Sequence, residues 1–301
     1  MSHKSQLDSS KDTFLPRSSA SESTESGVAP ALYLIPTPIS DAPVDTVLPD
    51  YNIKLLKGIR HFIVENLRDA RRFIKRVWPE ADISALQFSV LNRHTEISEV
   101  SSFLEPLRCG QPVGVMSDAG CPAIADPGAL PVAIAQREGF RVKALVGPSS
   151  ILMALMGSGF SGQGFSFHGY LPIDDEQRRE SLRILENESQ RRDMTQIFIE
   201  TPYRNEKTLD FMAHNLRPAT RICIACDITD PVGEKIIART AGEWKGLLDA
   251  SGRVPEFDKR PAIFLIYAGG EESVQQTKSL KGDFRVKNQN GFNKIKRSKR
   301  K

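Results

Sequence analysis

The chain has 301 residues, of which 40% are hydrophobic and 26% charged, a composition typical of soluble globular proteins. Its length is sufficient for two domains of ordinary size. No segment approaches the roughly 18 consecutive apolar residues of a membrane-spanning helix, and the first residues contain no apolar signal-peptide core. Four cysteines in a chain of this length do not form a disulfide framework. We therefore expect reduced thiols, a cytoplasmic location and no membrane contact.

The net charge of +4 is unevenly distributed along the chain. Residues 271–301 contain ten Lys/Arg and three Asp/Glu, whereas residues 1–270 contain 31 and 34. The folded part is therefore predicted to be slightly acidic. Two interpretations of the basic tail remain open: it holds phosphates, or it is a solvated tail that aids solubility.

Composition and periodicity divide the chain into four segments. Residues 1–29 contain nine serines and few apolar side chains, so we predict that they are disordered. Ten short apolar runs, typical of buried strands, then alternate with helical patterns. Such alternation indicates an α/β fold with largely parallel sheets. Ten strands are too many for one sheet, so we predict two α/β domains, at residues 30–148 and 149–270, followed by a disordered basic tail at 271–301.

A glycine-rich segment, residues 157–164, marks the connection between the two predicted domains. It matches the G-x-G-x-x-G pattern of dinucleotide-binding loops. Those loops follow a strand and open a helix, whereas this segment is predicted to follow a helix and precede a strand. We therefore reject a dinucleotide site here.

Residues 117–128 carry the most informative pattern, S-D-A-G-C-P-A-I-A-D-P-G. A predicted buried strand ends at Ser117 and a helix is predicted to begin near Ala129. In parallel α/β sheets, ligands bind at the carboxyl ends of strands. Prolines remove N–H donors and leave carbonyl acceptors, which favours an amine, hydroxyls or an adenine edge over a polyphosphate. The alternative is a rigid connector.

Three further loops follow predicted strands. Residues 146–150 open a helix that Ser149 or Ser150 could cap, and its free N–H groups could instead bind a carboxylate. Residues 199–204 contain Glu200 and Arg204, which form either a surface ion pair or an acceptor contact. Residues 34–40 end the first strand with two prolines.

In order and spacing, these four loops resemble those of the tetrapyrrole methylase superfamily. They are most similar to its branch that methylates the ribose 2′-hydroxyl of a small-subunit ribosomal RNA cytidine, with motifs T-P-I-G-N, S-D-A-G-T-P-x-I-S-D-P-G, P-G-P-S-A and E-S-P-H-R. The resemblance implies two α/β domains with S-adenosyl-L-methionine in the cleft between them, a homodimer, and ribosomal RNA or the small ribosomal subunit as partner. It also implies the following cofactor contacts, made mostly through backbone atoms: Pro38, Asp118, Ala119, Gly120, Cys121, Ile124, Ser149, Ser150, Glu200 and Ile228.

The departures from the family pattern affect the acceptor side. The branch carries E-D-T-R after its second strand, where this chain has Glu65-Asn66-Leu67-Arg68. Residues 39–46 and 91–96 diverge as well. Two alternatives therefore stay open: an enzyme of the same fold with a tetrapyrrole or other non-RNA acceptor, or a catalytically silent RNA-binding homologue.

Methyl transfer to a hydroxyl requires alignment and a base within hydrogen-bond reach. Glu65, Asp118 and Asp126 are the candidate bases, although helix-terminal charge or loop hydrogen bonding would also explain the two aspartates. Arg68 and Arg204 are candidates for holding RNA phosphates.

We predict no metal site. Cys223 and Cys226 form a C-x-x-C pattern inside a predicted strand, where residues three apart face opposite sides of the sheet. We interpret both as core thiols. The histidines, among them His94, lack the spacing of paired metal ligands.

Overall fold

This computed structural model describes residues 27–92, 95–251, 257 and 259–270. The segments predicted to be disordered, apart from residues 27–29, lie outside the described residues, as does His94. The described chain divides into two compact units. The first comprises the chain up to Pro38 together with Val44–Gly147, and the second comprises Ile39–Pro43 and the chain from Pro148 onward. No helix in the described part is long and apolar enough to cross a membrane.

Within the described residues, the first unit contains a five-stranded sheet and six α-helices. The strands are β1 (Leu32–Leu34), β2 (His61–Val64), β3 (Gln87–Val90), β4 (Val113–Met116) and β5 (Val142–Ala144). The helices are α1 (Val44–Val47), α2 (Asp50–Lys57), α3 (Leu67–Val77), α4 (Ile97–Ser102), α5 (Glu105–Arg108) and α6 (Ala129–Arg137). The strand order is β3-β2-β4-β1-β5 and every pair is parallel. This sheet has the predicted parallel form.

Helices cover both faces of the first sheet. On one face, Phe62 and Val64 of β2 pack in a cluster with Phe73 and Ile74 of α3. On the other, Ile63 packs with side chains of α4, α5 and α6. Coverage on both faces explains why the strands are nearly continuous apolar runs.

The second unit contains a five-stranded sheet and four α-helices among the described residues. Its strands are β6 (Phe165–Tyr170), β7 (Thr195–Glu200), β8 (Arg221–Cys226), β9 (Lys235–Thr240) and β10 (Ala262–Tyr267). Its helices are α7 (Ser150–Ser158), α8 (Asp175–Arg192), α9 (Asn205–Asn215) and α10 (Ala241–Ser251). The α8, α9 and α10 helices pack in the apolar cluster on one face, and α7 packs on the other.

The prediction of largely parallel sheets is wrong for the second unit. The strand order is β6-β7-β10-β8-β9, and only β6 and β7 pair in parallel. The last strand, β10, lies between β7 and β8 and runs antiparallel to both. β8 and β9 are joined by a short loop without a crossover helix, which permits only antiparallel pairing.

The two cysteines of the C-x-x-C pattern lie on opposite faces of the second sheet, as predicted. Cys223 belongs to the cluster beside α7, and Cys226 to the cluster beside α8, α9 and α10. Both side chains are fully buried, and burial raises the pKa of each thiol to about 12. These are core thiols, which stay protonated at neutral pH.

The glycine-rich connection has the predicted order of elements. α7 ends at Ser158, Gly159 terminates it with a φ of 70°, and β6 begins at Phe165. Glycine is favoured at such a left-handed position, which ends a helix. The segment follows a helix and precedes a strand, which is the reverse of a dinucleotide-binding loop.

Candidate functional site

Three loops lie side by side at the carboxyl edge of the first sheet, because β2, β4 and β1 are parallel neighbours. The loop after β1 pairs with the loop after β4: the amide of Thr37 donates to the carbonyl of Gly120 (3.0 Å), and the amide of Gly120 donates to that of Thr37 (3.1 Å). The Thr37 hydroxyl also donates to the Ser117 carbonyl at 3.2 Å. The predicted loops following β1 and β4 therefore form one hydrogen-bonded surface.

The three candidate bases converge at this edge. Glu65 follows β2, whereas Asp118 and Asp126 lie in the loop after β4. The backbone N–H of Asp118 donates to the Glu65 carboxylate, and the backbone N–H of Asn66 donates to that of Asp118. The Ser117 hydroxyl, which lies 3.4 Å from the carbonyl oxygens of both Ala119 and Gly120, is also near Asp126. We call Glu65, Asp118 and Asp126 the carboxylate cluster.

The pKa of every carboxyl group in the cluster is raised. For Glu65 the largest cause is burial, followed by the negative charges of Asp126 and Asp118. Burial is also the largest cause for Asp126 and Asp118, followed by the charge of Asp118 on the first and that of Asp69 on the second. Clustered carboxylates with raised pKa are typical of sites that bind a cation or accept a proton.

The backbone of the Ser117–Gly128 loop is strained at two non-glycine residues. Ala123 and Ala125 have φ values of 66° and 64°, a region that L-residues rarely adopt. Gly128 has a φ of 140°, and a Cβ there would lie 3.0 Å from the Ala123 nitrogen. Strain of this kind persists where the surrounding structure holds it, and it is concentrated at ligand sites. Ala119 and Ile124 are exposed on the loop.

The loop after β5 is packed against the same surface. Its carbonyls accept hydrogen bonds, that of Gly147 from the Cys121 thiol (3.8 Å) and that of Val146 from the Asn52 side chain (2.7 Å). The next residues belong to the second unit, where the Ser149 hydroxyl caps α7 by accepting from the Leu152 amide at 3.5 Å. Ser149 therefore caps the helix and pairs with one N–H of the first helical turn, whose other N–H groups have no acceptor within the helix.

Glu200 and Arg204 form an ion pair inside the second unit. The Glu200 carboxylate lies 2.5 Å from the Arg204 guanidinium, and it also accepts from the Thr201 amide and the Thr208 hydroxyl. Only 2% of the Glu200 side chain is exposed. The Glu200 end of the pair is therefore buried, so the interpretation as a surface ion pair is wrong for this residue.

One site feature was missed by sequence reasoning. Asp227 and Thr229, which flank the predicted contact Ile228, have φ values of 45° and 72°. The Thr229 hydroxyl is 2.9 Å from that of Ser40. The Ile228 side chain is buried in the cluster beside α7. β-Branched residues such as Thr229 rarely adopt a positive φ, and no sequence pattern predicts this conformation.

The predicted cofactor contacts are divided between the two units. The structure brings together Pro38, Asp118, Ala119, Gly120, Cys121 and Ile124 in the first unit. Ser149, Ser150, Glu200 and Ile228 lie in the second. Arg68 is exposed on α3 in the first unit, and Arg204 lies in the second.

No family model matches this chain, but curated relatives do. Ribosomal RNA small subunit methyltransferase I of Neisseria meningitidis serogroup B is 30% identical over 231 residues, which cover 77% of this chain and 75% of the relative. The Vibrio cholerae protein of the same name is 30% identical over 201 residues, covering 67% of this chain and 66% of the relative.

The chain belongs to the ribosomal RNA small subunit methyltransferase I family. This membership confirms the branch that the four loop motifs indicated. The chain spans about two thirds of the length of the Vibrio relative, and 58% of the relative from Halalkalibacterium halodurans. Solved structures confirm the two-domain α/β fold: diphthine synthase has a TM-score of 0.54 at 12% identity and covers 79% of this chain and 89% of its own. The methyltransferase CobJ has a TM-score of 0.50 at 15% identity, covering 79% and 98%.

The chain departs from the branch pattern at residue 66, and the structure explains this difference. Asn66 stands where the branch has Asp, and its side-chain oxygen accepts from the amides of Arg68 (2.9 Å) and Asp69 (3.4 Å). Asn and Asp cap helices about equally well. The substitution therefore keeps the start of α3 and removes one negative charge beside the carboxylate cluster.

Proposed function

We propose that this chain transfers a methyl group from S-adenosyl-L-methionine to a ribose 2′-hydroxyl of small-subunit ribosomal RNA. The carboxylate cluster is the observation that carries the proposal, together with family membership. Three carboxylates held together at a sheet edge produce a negative potential that favours a cationic ligand. The three carboxylates fit S-adenosyl-L-methionine, which carries a sulfonium and an amine and supplies an activated methyl group.

The residues of the site supply a base and an aligned surface. Bound S-adenosyl-L-methionine would supply the methyl group, and one carboxylate of the cluster would accept the proton that the acceptor hydroxyl loses. A carboxylate whose pKa is raised is a better proton acceptor than an ordinary one. Glu65, Asp118 and Asp126 all meet this condition. The hydrogen bonds between the loops after β1 and β4 keep the surface rigid, which favours alignment of the reactants.

Titration calorimetry with S-adenosyl-L-methionine tests the cofactor. We expect binding in the micromolar range by the unmodified protein. Ala119→Trp should abolish it, because Ala119 is exposed on the Ser117–Gly128 loop and tolerates a large side chain without disturbing the core. Ala85→Trp is the matched control, since Ala85 is exposed and precedes β3 at the amino edge of the same sheet. Absence of binding by the folded, unmodified protein would refute the proposal.

Transfer of labelled methyl groups to small ribosomal subunits tests the acceptor. The variants Glu65→Gln, Asp118→Asn and Asp126→Asn identify the base, whose loss should reduce kcat by roughly 100-fold to 10,000-fold. The rate should fall as the pH is lowered through the raised pKa of that group, because protonation removes the base. Transfer to a tetrapyrrole but not to subunits would favour the alternative acceptor. A protein that binds RNA but does not bind S-adenosyl-L-methionine would favour the catalytically silent homologue.

We further propose a homodimer acting in the cytoplasm. The family resemblance supports the dimer, and two buried, unpaired thiols in the second sheet suit a reducing compartment. Light scattering during size-exclusion chromatography measures the assembly. A monomer that is fully active would refute the dimer as the working state.

A further inference from the structure

Five cationic side chains form a single stripe on α3. Arg68, Arg71, Arg72, Lys75 and Arg76 are spaced i, i+3, i+4, i+7 and i+8, which places them on one face of the helix. All five residues are exposed, whereas Ala70, Phe73 and Ile74 on the opposite face are buried. We call these five residues the α3 stripe. It spans about 12 Å along the helix axis, or a little over two turns.

Like charges repel one another along the stripe. Arg68 and Arg72, and Arg71 and Lys75, are like-charged pairs at i, i+4 spacing, each of which destabilises a helix. Asp69 is the only acidic residue of α3, and it lies 3.3 Å from Arg72. The stripe also stands out because residues 1–270 carry more acidic than basic side chains. A bound polyanion would relieve this repulsion.

Two stripe residues are oriented by the first unit itself. The Arg71 guanidinium lies 5.5 Å from the centre of the Phe88 ring, and the Lys75 ammonium donates to the Pro79 carbonyl at 2.8 Å. These contacts hold the long side chains along the surface, so less conformational entropy is lost when they bind. Four of the five cations are arginines, which bind phosphate oxygens through two parallel N–H groups.

The stripe begins at the carboxylate cluster. Asn66 caps α3 through its side chain, and its backbone N–H donates to Asp118. Arg68, the first stripe residue, is therefore three residues from Glu65. A polyanion lying along the stripe would pass directly to the cluster where the acceptor hydroxyl must be placed.

We propose that the α3 stripe binds successive phosphates of the RNA acceptor strand and guides its ribose to the carboxylate cluster. This inference rests on the proposed function and adds to it the surface that selects an RNA acceptor. Phosphate contacts position a nucleic acid without reading its sequence, so the stripe fixes the path of the strand rather than the identity of the nucleotide.

A charge-neutralised variant of the full-length chain tests the stripe. We would measure binding of a fluorescein-labelled 30-nucleotide single-stranded RNA to Arg71→Gln/Arg72→Gln/Lys75→Gln between 50 and 200 mM KCl. The affinity at low salt should fall by about 10-fold to 100-fold, and the slope of log K against log salt should be shallower by about 2, since single strands give about 0.7 per phosphate contact. Binding of S-adenosyl-L-methionine should be unchanged.

The matched control removes the same charge elsewhere. Arg183, Arg191 and Arg192 on α8 are 58–64% exposed, but each is paired with Glu180 or Glu188. The triple glutamine variant at these positions should keep the RNA affinity and the salt slope of the unmodified protein. Both variants retain the basic residues 271–301, so the difference between them reports on the stripe.

The outcomes separate the inference from the proposed function. Equal RNA affinity and equal salt slopes for the two triple variants would overturn the stripe, whether or not the protein methylates subunits. Binding of the stripe to anionic phosphatidylserine vesicles but not to RNA would overturn it as well. A cofactor-binding protein that transfers no methyl group, but loses RNA affinity only in the α3 variant, would refute the proposed activity and retain the stripe.

Discussion

The structure disfavours the charge of Asp126. This residue is half-buried and lies near the negative charge of Asp118, and the nearby Ser117 hydroxyl only partly offsets their effect on its pKa. Burial and like charge both raise its pKa, so the folded protein binds a proton there more tightly than the unfolded chain does. Ionisation therefore opposes folding as the pH rises above the unfolded value of 3.8.

Replacement of Asp126 with Asn should consequently stabilise the protein at neutral pH. Asn has nearly the same shape as Asp and removes the disfavoured charge. We expect a rise in Tm on the order of 1 °C at pH 7, because the group is partly solvated, and a smaller difference as the pH approaches 4. Thermal unfolding between pH 4 and pH 8 measures it.

Asp82→Asn provides the control of opposite sign. Asp82 is exposed and accepts hydrogen bonds from the Ser84 hydroxyl and amide, which lower its pKa. This contribution to stability is present above the unfolded pKa and is lost as the pH falls through the lower, folded value. Asp82→Asn should therefore not raise the Tm at pH 7. A lower Tm for Asp126→Asn at pH 7 would contradict our account of the cluster.

At the level of the elements, the loops after β1 and β5 approach each other closely at Gly147 and Pro36. A Cβ built on Gly147 would lie 2.2 Å from Cβ and 2.5 Å from Cγ of Pro36. The proline ring is rigid and buried, so neither partner can move aside cheaply. The absence of a side chain at Gly147 is therefore what allows these two strand ends to approach.

Gly147→Ala should destabilise the first unit by roughly 1–3 kcal/mol through overpacking. Gly246→Ala is the control, since a Cβ at Gly246 in α10 meets nothing within 4 Å. Alanine inside a helix should stabilise by about 0.5–1 kcal/mol. Urea unfolding measures both variants. Equal stability of Gly147→Ala and the unmodified protein would show that the loops can separate without cost.

At the scale of the whole molecule, each unit has its own apolar core and one of the two tryptophans. Trp78 packs against the core of the first unit, and Trp244 is buried in that of the second, where its indole N–H donates to the Ile222 carbonyl. Single-tryptophan variants therefore report on the two units separately.

The proposed cofactor contacts come from both units, so binding should couple their unfolding. Trp78→Phe and Trp244→Phe each leave one reporter, and without ligand we expect the two to unfold at different urea concentrations. Saturating S-adenosyl-L-methionine, at about 100 times its Kd, should stabilise both by roughly 2–3 kcal/mol. If S-adenosyl-L-methionine shifts the unfolding transition of only one tryptophan, the prediction that both units contact the cofactor is contradicted. Trp244→Phe also loses a buried hydrogen bond, so each variant is compared with itself.

The elements and the family could be predicted from local patterns in the sequence. All ten strands were found at their places, because short runs rich in Val, Ile and Phe are separated by turn residues and helical patterns. The motif at residues 117–128 indicated the family because its glycines and prolines impose a specific loop backbone. Local patterns of this kind are fixed by neighbouring residues, so they can be recognised without a structure.

Which distant residues meet depends on the order of the strands in the sheet. Glu65 and Asp126 are 61 positions apart, and they meet because β2 and β4 are neighbours in the sheet, an order that no local pattern encodes. The same limit explains the error in the second sheet, where β10 lies between β7 and β8. The conformation of Thr229 and the burial of the Glu200–Arg204 pair also depend on packing across the unit. Chemistry at this edge arises from contacts made over long sequence separations, which the fold alone creates.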